Sequence, residues 1–243
     1  MVFARDIGTQ TLTFGVSGKL VMNALVMYDH QTDSLWSQFL SRGIRGELRG
    51  TELELLPGLM TDWQTWAELH PDTLALNKGG RFSRDSYERY YDSPDAGVLG
   101  ETRSDDRLYT KEYVVGLVHK GVIRAYPFGV LNDAPVVNDT VGDEPVLVTF
   151  DAGSGAGVVF SRVVDGQTLT FEALDAEAVA SDGPLYIQDA ETESRWLTLT
   201  GEAVEGELAG KSLEQIPTTL SFWFGWKDFY PDTEIYQAKS DSG

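Results

Sequence analysis

Apolar and polar residues alternate along this chain in short runs, and long helical stripes are rare. Residues 11–16, 25–28, 113–119, 122–126, 146–150, 157–164 and 168–174 are each rich in β-branched or aromatic side chains, with Gly, Asp or Pro between them. Runs of this length and composition predict strands. Lys120-Gly121 and Asp165-Gly166 each fall between two such runs, and a two-residue connection ending in Gly predicts a hairpin turn. Helical spacing is clear at 61–69, where Thr61-Asp62 offers a capping start and Trp63, Trp66 and Ala67 share a face. A second helix is expected over 220–229, although Ser221-Phe-Trp-Phe-Gly225 is weak helix material. The expected fold is mostly β.

The pattern then returns at a constant offset. Asp29, Thr32, Ser34, Trp36, Gly46, Glu47, Leu48, Gly50, Leu53, Glu54, Pro57, Trp63, Trp66, Pro71, Asp72 and Thr73 reappear as Asp189, Thr192, Ser194, Trp196, Gly206, Glu207, Leu208, Gly210, Leu213, Glu214, Pro217, Trp223, Trp226, Pro231, Asp232 and Thr233. Phe3-Ala-Arg5 with Gln10-Thr-Leu-Thr-Phe14 matches Phe160-Ser-Arg162 with Gln167-Thr-Leu-Thr-Phe171. The period is far longer than a solenoid unit, so a domain-sized unit has been duplicated. Two β-rich units with a short helix each, related by a pseudo-twofold, are expected. The first, N-terminally incomplete, covers 1–80; a polar, Tyr-rich connector covers 81–106; the second covers 107–243.

The copies differ in a way that bears on function. Ser17, Asn23, Tyr28, Ser37 and Gln38 have no counterparts in the second copy, whereas the Gly, Pro and Trp punctuation survives in both. The first copy therefore reads as the functional one and the second as architectural. These hydroxyl and amide groups, with Asp29, are the candidate ligand-binding set. They could orient a ligand, or they could satisfy buried backbone and turns, since buried polar groups need partners in any case. Trp36/Trp196, Trp63/Trp223 and Trp66/Trp226 are kept in both copies, which argues for core packing.

Charge narrows the partners. The 243 residues carry 38 acidic against 19 basic side chains, a formal charge of -19. Such a field repels nucleic acid and anionic membrane surfaces. An acidic, Lys-poor surface also resembles that of proteins from salt-loving archaea, in which high ionic strength screens self-repulsion. There is no cysteine, so disulfides, thiolate metal sites and cysteine nucleophiles are excluded. No apolar run is long enough to span a membrane, and residues 1–5 read as strand, not as a signal peptide. Location stays unassigned, with the cell envelope or the exterior expected if a segment precedes residue 1.

Several motifs resemble the DUF3179 proteins of bacteria and archaea, a family of unknown function. In the first copy these are residues 12–18 (Leu-Thr-Phe-Gly-Val-Ser-Gly), 25–29 (Leu-Val-Met-Tyr-Asp), 34–38 (Ser-Leu-Trp-Ser-Gln), 53–57 (Leu-Glu-Leu-Leu-Pro) and 70–73 (His-Pro-Asp-Thr). In the second they are Arg107-Leu108 with Lys111-Glu112, Ala125-Tyr126-Pro127, residues 137–142 (Val-Asn-Asp-Thr-Val-Gly) and Val148-Thr149. The resemblance implies a His-Glu pair before the Val-Asn-Asp-Thr motif and a Cys-Pro-Leu-Cys-Gly-Ser stretch after Val-Thr-Tyr, a set suited to a soft metal or a redox dithiol. Here Ala134-Pro135 takes the first place, and Asp151 and Ser154 stand where the cysteines would be.

The remaining motifs favour plain roles. Residues 153–157 (Gly-Ser-Gly-Ala-Gly) precede a strand-like segment, while a phosphate loop needs a helix there, so a turn is expected. His30, His70 and His119 have no metal-ligand spacing, and His70 is placed to cap a helix end. Asp29 with Asp33, or Glu68 with Asp72, is unremarkable proximity in so acidic a chain. The expectation is a non-catalytic or ligand-binding β-rich domain with no catalytic residue, metal or cofactor assigned. Its partner would be a small ligand or a protein, with homodimerisation through the N-terminal strand edge as one outcome. The alternative is a metal/redox protein or enzyme whose reactive Cys and His lie in a segment preceding residue 1.

Overall fold

The computed structural model describes residues 1–77, 79, 87–174 and 186–238; residues 81–86 of the expected connector lie outside them. In chain order residues 1–80 hold β1 (Val2–Phe3), β2 (Asp6–Ile7), β3 (Gln10–Thr11), β4 (Phe14–Val21), β5 (Ala24–Asp29), β6 (Leu35–Ser37), β7 (Arg42–Arg45), β8 (Leu55–Leu56) and α1 (Trp63–Leu69). Then come α2 (Glu88–Asp92), β9 (Tyr113–His119), β10 (Val122–Pro127), α3 (Phe128–Asp133), β11 (Val136–Val141), β12 (Glu144–Asp151) and β13 (Ala156–Ser161). The chain continues through β14 (Val163–Val164), β15 (Gln167–Thr168), β16 (Phe171–Ala173), β17 (Tyr186–Asp189), β18 (Arg195–Leu197) and β19 (Ala203–Glu205). It closes with β20 (Gln215–Ile216), β21 (Thr219–Phe222), α4 (Trp223–Phe229) and β22 (Glu234–Ile235). The protein is mostly β, built from several antiparallel sheets with four short helices among the described residues.

The chain forms two compact units that interleave in sequence: 1–58, 96–128 and 216–243 make one, 59–95 and 129–215 the other. In the first unit, β4 to β7 form an antiparallel sheet in chain order. Its core is Leu12, Trp36 and Leu53, with Phe3, Phe14, Met27 and Leu48 packed around them. β1 pairs with β8, Val2 opposite Leu56 and Phe3 opposite Leu55. The N-terminal strand thus has a partner within residues 1–58. A second sheet, in the order β21-β9-β10-β22, carries α4 on it. Trp223 and Trp226 of α4 are fully buried with Val114 and Ala125. Gly116 on β9 has no side chain because a Cβ there would lie 2.2 Å from the Trp226 ring.

The second unit contains the meander β11-β12-β13 and the sheet β16-β17-β18-β19. Leu147, Val158, Phe160, Leu169, Phe171, Ile187, Trp196 and Leu213 form its core. Asn138 joins its two sheets by donating to the Phe171 carbonyl at 2.7 Å and accepting from the Phe171 N–H at 2.8 Å.

Both Gly-containing hairpin turns form where the sequence places them, with Lys120 and Gly121 at φ 48° and 81° and Asp165 and Gly166 at φ 50° and 84°. Residues 152–155 turn β12 into β13, as their strand-like sequel implied. Three expectations shift. The helix foreseen over 220–229 starts only at Trp223, because 219–222 pair with β9 as strand β21. The strands foreseen at 11–16, 157–164 and 168–174 are each broken, between Thr11 and Phe14, at Arg162 and between Thr168 and Phe171, where the chain passes from one sheet to another. Helices α2 and α3 had no clear periodic signal, being five and six residues long.

Candidate functional site

The site begins with a turn. After β6 the chain reverses over residues 37–41, and three hydrogen bonds fix it. The Ser37 hydroxyl accepts from the Leu40 N–H at 3.3 Å. The Gln38 N–H donates to the Leu25 carbonyl, and the Gln38 carbonyl accepts from the Ser41 N–H, both at 3.3 Å. Ser41 sits at φ 51°, a left-handed conformation that completes the reversal. The turn points Phe39 at α4, where its ring stacks on Phe229 with centroids 4.6 Å apart. Tyr230 donates its hydroxyl to the Phe39 carbonyl at 3.0 Å. Burial pushes the Tyr230 phenol above its ordinary range, only partly offset by Arg42, so it stays a proton donor at neutral pH.

This packing leaves a cleft of about 350 Å³ within the first unit, inside the roughly 300–1,000 Å³ range of small-molecule sites. Phe39, Leu40, Leu53, Leu55, Val118 and Pro217 give it apolar walls, and Ser41, Thr218, Thr219 and Tyr230 add hydroxyls. Glu52, at an exposed position, supplies a carboxylate. Such a lining can donate and accept hydrogen bonds to a small ligand while its apolar side chains make van der Waals contact. The net charge of -19 disfavours an anionic occupant.

The six candidates named from sequence are not gathered around one point, and none of them lines the cleft. The Ser17 hydroxyl donates to the Val26 carbonyl and accepts from the Lys19 N–H at 3.2 Å, closing the bulge in β4. Asn23, at φ 63° in the β4–β5 turn, accepts from the Leu99 N–H at 2.7 Å and donates to the Gly100 carbonyl at 2.8 Å. It fastens residues 99–100 to the first sheet. Tyr28 packs edge-on to His30 with centroids 4.9 Å apart. Asp29 is fully buried and accepts from Trp36 Nε1 at 2.8 Å and from the Thr32 N–H at 2.6 Å. Burial raises its pKa, but the bonds from Trp36 and Thr32 outweigh that, holding the carboxyl below its ordinary range. The same network recurs around Asp189, with Trp196 Nε1 at 2.8 Å and the Thr192 N–H at 2.6 Å. Ser37 and Gln38 alone bear on the cleft, through the turn that delivers Phe39, Leu40 and Ser41.

The contrast between copies pointed to the turn that borders this site but not to its lining. Phe39-Leu40-Ser41 corresponds to Leu199-Thr200-Gly201, so one hydroxyl is lost at Ser41 and another gained at Leu40, and the contrast between copies ends at Gln38, beside the lining. On the β21 side the polar groups belong to the second copy, where Thr218-Thr219 stand opposite Gly58-Leu59 of the first, so a search for groups kept only in the first copy missed them.

Where the family resemblance led to cysteine positions, the Ser154 hydroxyl donates to Asp151 at 2.5 Å and the Gly153 N–H donates to the same carboxylate at 3.0 Å. This is a self-contained turn. Among the described residues no group of three His, Asp or Glu side chains converges to hold a metal ion, and no helix is long and apolar enough to cross a membrane.

Fold and cleft together describe a mostly antiparallel β protein with a pocket of small-molecule size. The chain belongs to the family described as "Protein of unknown function (DUF3179)", which matches residues 1–233. No curated protein and no solved structure matches it.

Proposed function

We propose that this chain is a non-catalytic binding module whose cleft between the 37–41 turn and strands β9 and β21 takes a small neutral or cationic ligand that carries hydrogen-bonding groups. The observation that carries this is the cleft itself, of about 350 Å³, whose lining mixes apolar side chains with the hydroxyls of Ser41, Thr218, Thr219 and Tyr230. Binding is favoured over turnover because Glu52 stands alone among the lining groups as a base, and it is exposed. General acid–base work needs a group with a tuned environment near the reacting atom.

The wider reading is of a tandem of one preserved and one degenerate unit with a pseudo-twofold relation, adapted to high salt. Its support is the sequence duplication, the matched Asp-Thr-Trp networks at Asp29 and Asp189 and the acidic charge balance. In it the cleft draws its turn from the preserved repeat and its β9, β21 and Tyr230 walls from the degenerate one.

A screen of neutral and cationic small molecules by thermal shift tests the proposal. A ligand that raises the melting temperature should lose that effect in Thr218→Trp, which fills the cleft, and keep it in Asn23→Ala. A ligand insensitive to Thr218→Trp but abolished by Asn23→Ala would place the site elsewhere and sink the proposal.

A further inference from the structure

The cleft of the first unit is bordered by two opposite charges that the fold does not use. Arg42 on β7 and Glu52 face each other across an antiparallel bridge. The Gly43 N–H donates to the Thr51 carbonyl at 2.8 Å, and the Leu53 N–H donates to the Ser41 carbonyl at 2.6 Å. These flanking bonds make Arg42 and Glu52 a non-hydrogen-bonded pair, in which facing side chains share one side of the sheet and stand closest together. An ion pair is within reach, yet neither side chain makes an ion pair or a hydrogen bond among the described residues. Both residues are exposed, and Glu52 lines the cleft. Arg42 stands beside it. Burial raises the pKa of the Tyr230 phenol on the cleft wall, and the positive charge of Arg42 partly offsets that rise.

The other polar groups of the lining are unspent too. Thr219 is only 6% exposed and faces the cleft, but its hydroxyl has no hydrogen-bond partner among the described residues, and nor do those of Ser41 and Thr218. Buried hydroxyls ordinarily have a partner, and a polar ligand in the cleft can supply it. The Tyr230 hydroxyl gives its proton to the Phe39 carbonyl and keeps its oxygen as an acceptor.

Charge decides among ligands. A free anion meets the net charge of -19. A simple cation is drawn to Glu52 and repelled by Arg42 opposite. A molecule that carries both charges finds a partner for each and has no net charge for the field of the protein to repel. The planar fork of Arg suits a carboxylate, to which it can make two parallel bonds, and the Glu carboxylate accepts from an ammonium.

Resting on the binding role proposed above, we infer that the ligand is a small zwitterion of the amino-acid class, with its carboxylate on Arg42, its ammonium on Glu52 and a polar side chain directed at the Thr219 hydroxyl. The charged end sits at the mouth, where Arg42 and Glu52 are exposed, and the side chain enters the cleft.

Isothermal titration of the full chain tests this at fixed ionic strength. The probes are L-serine, L-threonine, L-asparagine, L-glutamine and L-alanine, the amines that lack their carboxylate, and the acids that lack their ammonium. At least one polar amino acid should bind, and loss of either charged group from it should weaken binding about tenfold or more. Arg42→Gln should erase the preference for the amino acid over its amine, and Glu52→Gln the preference over its acid. Thr219→Val should narrow the gap between that amino acid and alanine. An amine that binds as tightly as its amino acid would overturn the inference, as would binding unmoved by both charge substitutions. The absence of binding by every amino acid at millimolar concentration would overturn it as well. These results leave the cleft reading standing where another ligand is lost in Thr218→Trp. Amino-acid binding that survives Thr218→Trp would remove the cleft reading and this inference together.

Discussion

Asp29 illustrates how a residue that reads as a ligand group can be spent on the fold. Its carboxylate is buried and receives Trp36 Nε1 and both the N–H and hydroxyl of Thr32. Removing it by Asp29→Ala orphans a buried indole N–H, which costs about 1–3 kcal/mol; urea melts should show that loss, and a neutral result would reject the assignment. The pH dependence has a defined sign. The folded pKa is depressed, so the Asp29 contribution is whole above the unfolded aspartate pKa and is lost as pH falls through the folded value. Stability measured from neutral to acid pH should fall less steeply in Asp29→Asn than in the parent. Trp36 and Trp196, both 0% exposed, should each cost about 3–5 kcal/mol on truncation to Ala. At this scale retention in both copies marked the buried Trp36, Trp196, Trp223 and Trp226, but the core role it implied for Trp63 fails, since that ring is 57% exposed. Sequence could not separate a ligand hydroxyl from one that closes a bulge, as Ser17 does, because both need the same atom types.

Elements were legible where a turn needs a particular residue. Lys120-Gly121 and Asp165-Gly166 mark their hairpins because positive φ is required at each, and β9 follows its β-branched run end to end. The boundary at Phe222 was not legible, since Thr219 to Phe222 become strand only by pairing with Gly116 to Tyr113 of β9, a contact distant in sequence. The same contact fixes a test. Gly116→Leu must push Trp226 off β9, and overpacking of this kind costs about 1–3 kcal/mol. Equilibrium unfolding should show that loss together with a red-shifted Trp emission. A substitution that leaves both unchanged would mean the Trp226 ring does not rest on that strand. The cleft depends on this element too, because β9 and β21 form one of its walls while the 37–41 turn forms another; only the turn was hinted at by polar residues peculiar to the first copy.

At the scale of the whole molecule, charge is the feature most plainly written in the sequence and most distant from any one residue. A formal charge of -19 spread over 243 residues makes the folded state repel itself. Repulsion between surface carboxylates reaches across a Debye length of about 10 Å at 0.1 M salt and about 3 Å at 1 M. Raising potassium chloride from 0.1 M to 1 M should therefore raise the melting temperature steeply at first and then level off. Salt also strengthens apolar burial, so the electrostatic share needs a separate handle. Glu47, Glu54, Glu207 and Glu214 are exposed and occur as repeat-related pairs. Changing all four to Gln lowers the repulsion without touching the core. The quadruple variant should melt higher than the parent at 0.1 M salt and should gain less on going to 1 M. If the two proteins show the same salt increment, screening of the acidic surface is not what salt does here, and the adaptation to high ionic strength read from the composition fails with it.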